Sequence, residues 1–220
     1  MSNGSVGAVE VNPRVEEHIA QLCTNLYVQA EPPRRLAITA AETGEGKTSV
    51  GLALAVQTAR TLGRKVVFVE ANLRSPQAAG LLAVEGRKGL MDVLSGEASV
   101  DEAAVSLGER LPDVIVGVEG EDRETIVRRM GRDDLEKLFK TLGERYEHVI
   151  VETPAINHFP EAQVVVGLCD RVLLVIRAGR TSREAAAVAV RRIEGAGGKP
   201  PLVVLNRKQY HVPGFLYRRL

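Results

Sequence analysis

Short apolar runs rich in valine and isoleucine alternate along the chain with longer segments in which apolar residues recur every three or four positions. Runs of the first kind are typical of strands buried on both faces of a parallel sheet, and segments of the second kind are typical of helices that cover the sheet. The predicted strands are residues 34–40, 65–71, 112–118, 147–153, 171–178 and 201–207. The predicted helices are residues 13–30, 47–62, 122–144, 161–167 and 182–195, with a shorter helix that either precedes residues 89–96 or includes them. This alternation predicts an α/β fold with a mostly parallel central sheet and helices on both faces.

The chain is expected to form one domain. It has 220 residues and neither an internal repeat nor a long linker, so we predict a single domain over residues 13–207. We expect residues 1–12 to be disordered and residues 208–220 to form a C-terminal tail. No apolar stretch approaches the roughly 18 residues of a spanning helix, and the N-terminus lacks a signal peptide. We therefore expect a cytoplasmic protein that does not insert into a membrane by itself.

The composition argues against nucleic acid as a partner. The 29 basic and 28 acidic residues give a net charge of +1, and aromatic residues make up only 4% of the chain, which leaves little material for stacking bases. Cys23 and Cys169 lie in apolar surroundings without metal-ligand spacing, so we expect both to be reduced and buried.

The stretch AETGEGKTSVG, residues 41–51, joins the first predicted strand to the following helix. It ends like a phosphate-binding loop, with Ala41 where the first glycine usually stands. Glycines let backbone N–H groups face phosphate oxygens, and the helix N-terminus adds a partial positive charge. We expect Lys47 to bridge the β and γ phosphates of ATP and the Thr48 hydroxyl to bind Mg²⁺. The predicted nucleotide-binding residues here are Thr43, Gly44, Glu45, Gly46, Lys47, Thr48 and Ser49. The alternative, a turn that uses glycine only for tightness, gives Lys47 and Thr48 no reason to be there.

Other strand ends near this loop also carry polar residues. VVFVEANLRSP places Glu70, Asn72 and Arg74 after the second predicted strand, and VIVETPA places Glu152 after the fourth. The last predicted strand ends at Asn206. The segment GLMDVLSG lies between these motifs.

Together with the loop, these segments resemble the bacterial tyrosine kinases of capsule and exopolysaccharide synthesis, a branch of the partition-ATPase-like nucleotide-binding proteins. The family patterns are Asp-x-Asp-x-Arg, Asp-Thr-Pro-Pro and Gly-Leu-x-Asp-Val-Leu-x-Gly. The resemblance covers about residues 15–207. It implies the P-loop NTPase fold, ATP and Mg²⁺ as cofactors, and contact of Asn206 with the adenine base. It also implies a membrane partner, a chain-length regulator or polysaccharide co-polymerase, because relatives of this stand-alone form borrow a spanning helix.

The acidic positions depart from the family pattern. Glu70, Glu152 and Glu161 stand where the family has aspartate, and Asn72 stands at a fourth such position. Glutamate keeps the charge but moves the carboxylate outward, whereas Mg²⁺ requires near-octahedral ligands at short distances. Asn72 neither accepts a proton nor neutralises a metal ion.

These departures leave two functions open. In the first, phosphoryl transfer is retained: Thr48, Glu70 and Glu152 hold the metal ion, Glu152 through water, and Glu70 accepts the proton of the acceptor hydroxyl. Lys47 and Arg74 would then stabilise phosphate charge. In the second, the chain is an ATP-binding scaffold that regulates the same machinery without transfer. A positioning ATPase of the same fold is a third possibility, but its additional lysine near the start of the loop is absent.

Two further departures concern assembly and phosphorylation. Relatives form rings through a helix reading Glu-x-x-Arg-x-x-Arg, but here Glu17 is followed by Ala20 and Cys23, so both arginines of that homo-oligomer contact are absent. The family's tyrosine cluster is reduced to Tyr210 and Tyr217, which are the candidate tail phosphorylation sites.

Two charged loop residues have ordinary structural explanations. Arg180 lies at a strand end where it could stabilise phosphate charge, but an ion pair with a neighbouring acid is the favoured interpretation. His158 lies in a loop that could face the nucleotide, and we favour a hydrogen-bonded histidine over a catalytic one.

Overall fold

One seven-stranded sheet runs through the part of the chain that the computed structural model describes, residues 13–28, 31–118, 120 and 122–208. The strands are β1 (Arg35–Ala40), β2 (Val66–Glu70), β3 (Val105–Ser106), β4 (Asp113–Ile115), β5 (His148–Glu152), β6 (Arg171–Arg177) and β7 (Leu202–Asn206). The helices are α1 (Pro13–Tyr27), α2 (Lys47–Leu62), α3 (Ala78–Leu82), α4 (Leu90–Ser95), α5 (Val100–Ala103), α6 (Arg123–Arg129), α7 (Arg132–Arg145), α8 (Pro160–Gly167) and α9 (Arg183–Gly195). The N-terminal segment 1–12 and the candidate tyrosines Tyr210 and Tyr217 lie outside the described residues.

The strand order is β3-β4-β2-β5-β1-β6-β7, and every neighbouring pair is parallel except β3 with β4. All six predicted strands are present, which confirms the predicted α/β fold. The prediction missed β3, because two residues are too few to produce a recognisable alternation of apolar and polar positions. Strand β1 is an interior strand between β5 and β6, so the loop that follows it lies on the carboxyl edge of the sheet, away from both edge strands.

Helices cover both faces of the sheet. On one face, α1, α2 and α3 pack on a cluster that includes Phe68 and Ile150. On the other face, α4 to α7 pack on a cluster that includes Val69 and Val151, and α8 and α9 cover the β1 and β6 side of that face. The strands are buried on both sides, which explains their nearly continuous apolar sequences. None of the described helices is long and apolar enough to cross a bilayer.

The prediction of one helix over residues 122–144 was wrong, because this segment forms two helices. Helix α6 ends at Arg129, and α7 begins at Arg132 after Gly131, whose backbone is extended with φ −65° and ψ 157°. The apolar residues Ile126, Met130 and Leu135 pack in one cluster across this break. The periodic spacing of apolar residues therefore continues across Gly131, although the helix is interrupted there.

The cysteine prediction was half right. Both thiols are free, but Cys23 is buried whereas Cys169 is only half-buried. Desolvation nevertheless raises the pKa of the Cys169 thiol to about 12, so it stays protonated near neutral pH.

Candidate functional site

The loop between β1 and α2 has the backbone geometry that its glycines predicted. Gly44 and Gly46 have φ values of 75° and 91°, in the left-handed region that glycine adopts without steric cost. A Cβ atom on Gly46 would lie 2.4 Å from the Asn206 side-chain nitrogen, so this position also needs glycine for space. Helix α2 begins directly at Lys47, which places its free backbone N–H groups and its partial positive charge at the loop.

The two residues that open α2 are both buried. Lys47 is 6% exposed and Thr48 is 5% exposed, although their side chains are polar. The Thr48 hydroxyl donates a hydrogen bond of 2.8 Å to Oε1 of Glu152. Burial lowers the pKa of Lys47, and the nearby charges of Glu152, Glu45 and Glu70 oppose that shift. Among the described residues, no carboxylate oxygen lies within 4.0 Å of the Lys47 ammonium nitrogen, so its charge is available to a bound anion.

Glu70 and Glu152 end neighbouring parallel strands and lie directly side by side. The register of β2 with β5 pairs Glu70 with Glu152, and both residues are completely buried. Burial raises the pKa of Glu152 to about 7; the charge of Lys47 lowers it, and the charge of Glu70 raises it further. Oε2 of Glu152 is buried without a hydrogen-bond partner. Such an atom is a ready ligand for a cation or a proton.

The two oxygens of Glu70 are already occupied. Oε1 accepts hydrogen bonds from the backbone N–H groups of Gln77 at 2.6 Å and Ala78 at 2.9 Å, at the start of α3. Oε2 accepts a bond of 2.9 Å from the N–H of Gly117, which follows β4. Burial raises the pKa of Glu70, while these backbone donors and Lys47 oppose the shift. The side chain thus joins three segments at the carboxyl edge of the sheet.

Arg74 is held away from the two strand-end acids. Its Nε forms an ion pair of 2.7 Å with Oε1 of Glu161, and its guanidinium carbon lies 5.3 Å from the centre of the Phe159 ring. The pair is mostly buried, with the side chains 14% and 2% exposed. The sequence singled out Arg74 and Glu161 separately but did not pair them, because 87 residues separate them along the chain. Asn72 donates to the Ser75 carbonyl oxygen at 3.1 Å, which holds the same loop.

On the opposite side of the loop lies a set of polar contacts that the sequence did not predict in full. Nδ2 of Asn206 donates to the Glu45 carbonyl oxygen at 2.8 Å, and its Oδ1 accepts from the N–H of Arg207 at 2.8 Å. The Thr181 hydroxyl donates to the Glu45 carboxylate. Thr181 was missed, and its only sequence signal is a position shortly after β6, one residue before the Ser182 cap of α9.

The structure confirms the prediction for His158 and contradicts the one for Arg180. Nε2 of His158 contacts the Glu42 carboxylate at 2.5 Å on the surface, which confirms a hydrogen-bonded loop histidine. Arg180 is exposed and, in the described part of the chain, forms no ion pair within 4.0 Å. The favoured ion-pair interpretation of Arg180 was therefore wrong.

The arrangement fits a nucleotide with Mg²⁺. Residues 13–28, 31–118, 120 and 122–208 contain no cluster of three or more histidine, cysteine or acidic side chains suited to a metal ion. Mg²⁺ in nucleotide sites, however, is usually held by one or two protein groups together with phosphate oxygens and water. The Thr48 hydroxyl and the unpartnered Glu152 oxygen provide such groups, and the glycine loop and Lys47 provide the anion site.

Comparisons with known proteins find relatives over most of the chain. No protein-family model matches it. It is 30% identical over 172 residues to tyrosine-protein kinase YwqD of Bacillus subtilis, covering 78% of this chain and 71% of that protein. It is 26% identical over 195 residues to tyrosine-protein kinase CpsD of Streptococcus agalactiae serotype III, covering 88% and 83%. The solved kinase domain of the Escherichia coli tyrosine kinase Etk matches with a TM-score of 0.78 at 27% identity, covering 90% of this chain and 79% of that one.

Proposed function

The chain belongs to the bacterial tyrosine-protein kinases, and from that membership we propose that it transfers the γ-phosphoryl group of ATP to tyrosyl hydroxyl groups, including its own. The proposed role is regulation of exopolysaccharide or capsule polymerisation and export. The observation that carries the catalytic part is the buried hydrogen bond between Thr48 and Glu152, beside the uncommitted charge of Lys47.

The phosphate loop provides the binding site in this proposal. The residues that hold the nucleotide are Thr43, Gly44, Glu45, Gly46, Lys47, Thr48 and Ser49, with Asn206 on the base side. When bound, Mg²⁺–ATP would supply the transferable phosphoryl group, and the metal ion would supply positive charge beside the phosphates. The backbone N–H groups at Gly44 and Gly46 orient the phosphates, and Lys47 neutralises their charge as it develops.

The acidic residues at the strand ends are assigned to metal binding and to proton acceptance. Thr48, Glu152 and Glu70 are the candidate ligands of a divalent ion, and Oε2 of Glu152 has no hydrogen-bond partner of normal geometry among the described residues, although the Asn72 amide lies close enough to lower the pKa of Glu152. Glu70 contributes negative charge, and we retain it as the candidate acceptor of the tyrosyl proton. Arg74 is the candidate that stabilises phosphate charge, because its Nη2 has no hydrogen-bond partner in the described part of the chain while Nε pairs with Glu161.

One observation favours the second candidate function, a non-catalytic ATP-binding scaffold of the same machinery. Both Glu70 oxygens accept backbone hydrogen bonds, and the neighbouring Asn72 is no substitute base. In this alternative the nucleotide binds and changes the conformation or assembly of the chain, but no phosphoryl group reaches tyrosine.

We also propose a cytoplasmic location at the inner face of the cell membrane, with a membrane-spanning co-polymerase of the chain-length-regulating type as partner. This proposal rests on the sequence resemblance and on the absence of a candidate spanning helix from the described residues. A homo-oligomer is compatible with it, although Ala20 and Cys23 replace the arginines of the family's ring-forming helix.

Labelled phosphate transfer tests the proposal. The full chain is incubated with γ-labelled ATP and Mg²⁺, alone and with a synthetic acidic copolymer that contains tyrosine, and phosphotyrosine is measured. Lys47→Ala is the inactive comparison, and Lys140→Ala on the exposed surface of α7 is the matched control. We expect labelling by the parent and by Lys140→Ala, and a loss of about a hundredfold or more in Lys47→Ala.

Two results would count against the kinase. Labelling that does not depend on Lys47 would place the activity elsewhere. ATP binding without phosphotyrosine, in the chain and in the copolymer alike, would favour the scaffold.

A further inference from the structure

Glu45 presents an electrostatic problem at the apex of the phosphate loop. A carboxylate among groups that bind phosphate would repel the ligand, and at short range in a buried site that repulsion is large. Glu45 is nevertheless only 2% exposed. A buried carboxylate requires hydrogen-bond donors, so its partners indicate its purpose.

Two donors hold the Glu45 carboxylate, and neither carries a charge. Oε1 accepts from the Thr181 hydroxyl, and Oε2 accepts from the N–H of Glu42 at 3.0 Å. The Thr181 hydroxyl oxygen in turn accepts from the N–H of Arg177 at 2.8 Å, so its own proton is directed to Glu45. The carboxylate therefore points to the segment that follows β6 and not to Lys47, two residues along the loop.

The end of β7 reaches the same residue through its backbone. Nδ2 of Asn206 donates to the Glu45 carbonyl oxygen at 2.8 Å, and the Asn206 carbonyl oxygen accepts from the N–H of Ala178 at 2.9 Å. The close approach of Gly46 to the Asn206 amide completes the contact. The loop apex, the end of β6 and the end of β7 are thus joined in one hydrogen-bonded set, the Glu45 clamp (Glu42, Glu45, Arg177, Ala178, Thr181 and Asn206).

We propose that Glu45 and Thr181 are positioning residues that hold the phosphate loop ready to bind and tie it to the strand ends on the base side of the nucleotide. The part of this inference that concerns ATP rests on the proposed function, whereas the part that concerns the free protein does not. The Thr181 hydroxyl is the connecting atom, because it is the one side-chain group of the clamp that bonds both the Glu45 carboxylate and the β6 backbone.

The test removes that hydroxyl and measures amides that it does not itself bind. Thr181→Val keeps the side-chain shape, Thr181→Ser restores the hydroxyl, and Thr141→Val deletes an exposed threonine hydroxyl on α7 as a matched control. Amide hydrogen exchange is measured by NMR in the nucleotide-free protein at Glu42 and Ala178. Both N–H groups are bonded within the clamp, to Glu45 and Asn206 respectively.

In Thr181→Val we expect exchange at Glu42 and Ala178 to accelerate about tenfold or more, as for the loss of a hydrogen bond to a charged group. Thr181→Ser should return both rates to within about threefold of the parent, and Thr141→Val should leave them unchanged. The dissociation constant for ATP, measured by calorimetry, should rise about five- to thirtyfold in Thr181→Val. The turnover number at saturating ATP should stay within about threefold, because Lys47, Thr48 and Glu152 are untouched.

Parent-like exchange at both amides in Thr181→Val would overturn the clamp, as would failure of Thr181→Ser to restore it. A parent protein that binds no ATP would refute the proposed function instead. The exchange rates in the free protein would still decide whether the clamp exists.

Discussion

Glu70 and Glu152 end adjacent strands, pair in register and are both fully buried. The segments around them nevertheless give the two carboxylates different hydrogen-bond partners. Glu70 accepts three backbone N–H bonds from two segments. Glu152 accepts one hydrogen bond of normal geometry, from the Thr48 hydroxyl, keeps one oxygen without such a partner, and has the Asn72 side chain nearby. Glu70 therefore holds loops together, whereas Glu152 has an oxygen that the proposed metal ion could bind.

The difference has a physical cause in the length of the glutamate side chain, which has one methylene more than the aspartate of the family pattern. A carboxylate that ends beyond the strand reaches the N-terminus of α3 and the Gly117 backbone, as Glu70 does. The same length in Glu152 places the carboxylate against the hydroxyl that opens α2. The two glutamates therefore differ in their partners: Glu70 is bound by backbone donors on both oxygens, and Glu152 keeps one oxygen without a partner. The following changes test what that difference means.

The largest expected effect is on activity. Glu152→Gln should lower the initial rate of phosphotyrosine formation by about 10² to 10³, because it removes the charge that the proposed metal ion would meet while its amide oxygen still accepts from Thr48. The rate is measured with γ-labelled ATP at saturating concentration. Glu147→Gln, at an exposed ion pair with Arg64, is the matched control. A loss of less than about tenfold in Glu152→Gln would mean that Glu152 is not the reactive acid.

The next effect concerns stability. Glu70→Ala should lower the free energy of unfolding of the nucleotide-free protein by about 4 kcal/mol, because three backbone donors lose their acceptor. Glu152→Ala should change it by less than about 1 kcal/mol, because one hydroxyl bond is lost while a buried charge is relieved. Urea unfolding curves measure both values. Equal losses in the two variants would contradict the structural role of Glu70.

The raised pKa of Glu152 predicts a pH dependence of stability. The carboxyl group loses its proton near its ordinary value of 4.5 when unfolded but near pH 7 when folded. Between these values the folded state binds more protons, so its free energy of unfolding falls as pH rises, by about 3 kcal/mol in all. Above pH 7 this contribution is constant.

Glu152→Gln isolates that contribution. Relative to the parent, the variant should gain little at pH 4.5 and about 3 kcal/mol at pH 8, as measured by urea unfolding at each pH without nucleotide. A difference that is independent of pH would show that Glu152 titrates normally.

The smallest effect is expected from a substitution that restores the family's aspartate at position 72. Asn72→Asp should lower the free energy of unfolding at pH 8 by about 1 to 2 kcal/mol, because it replaces the amide that bonds the Ser75 carbonyl and stabilises charged Glu152 with a second carboxylate beside Glu152. The loss should be smaller at pH 5, where Glu152 holds its proton. Asn72→Ala, which removes the same bond without adding charge, is the control. If Asn72→Asp and Asn72→Ala have equal free energies of unfolding at pH 8, a carboxylate at position 72 does not interact with Glu70 and Glu152.

The sequence predicted features that depend on neighbouring residues. All six strands of appreciable length were found, because their apolar runs reflect burial on both faces. The glycine loop and the start of α2 at Lys47 were also predicted, since backbone freedom and helix initiation are local properties. The failures were β3 and the four-residue helix α5, which are too short to show a period, and the interruption at Gly131, where the apolar period hides a break in the helix.

The sequence by itself determined that a phosphate-binding loop follows a buried strand and that acids stand at two other strand ends, because these are properties of consecutive residues. Only the tertiary structure decided that Glu70 and Glu152 lie side by side, that Arg74 pairs with Glu161, and that Thr181 holds Glu45. The physical reason is that the partners are 82, 87 and 136 residues apart, so the order of strands in the sheet, and not local propensity, determines which donor each buried carboxylate meets.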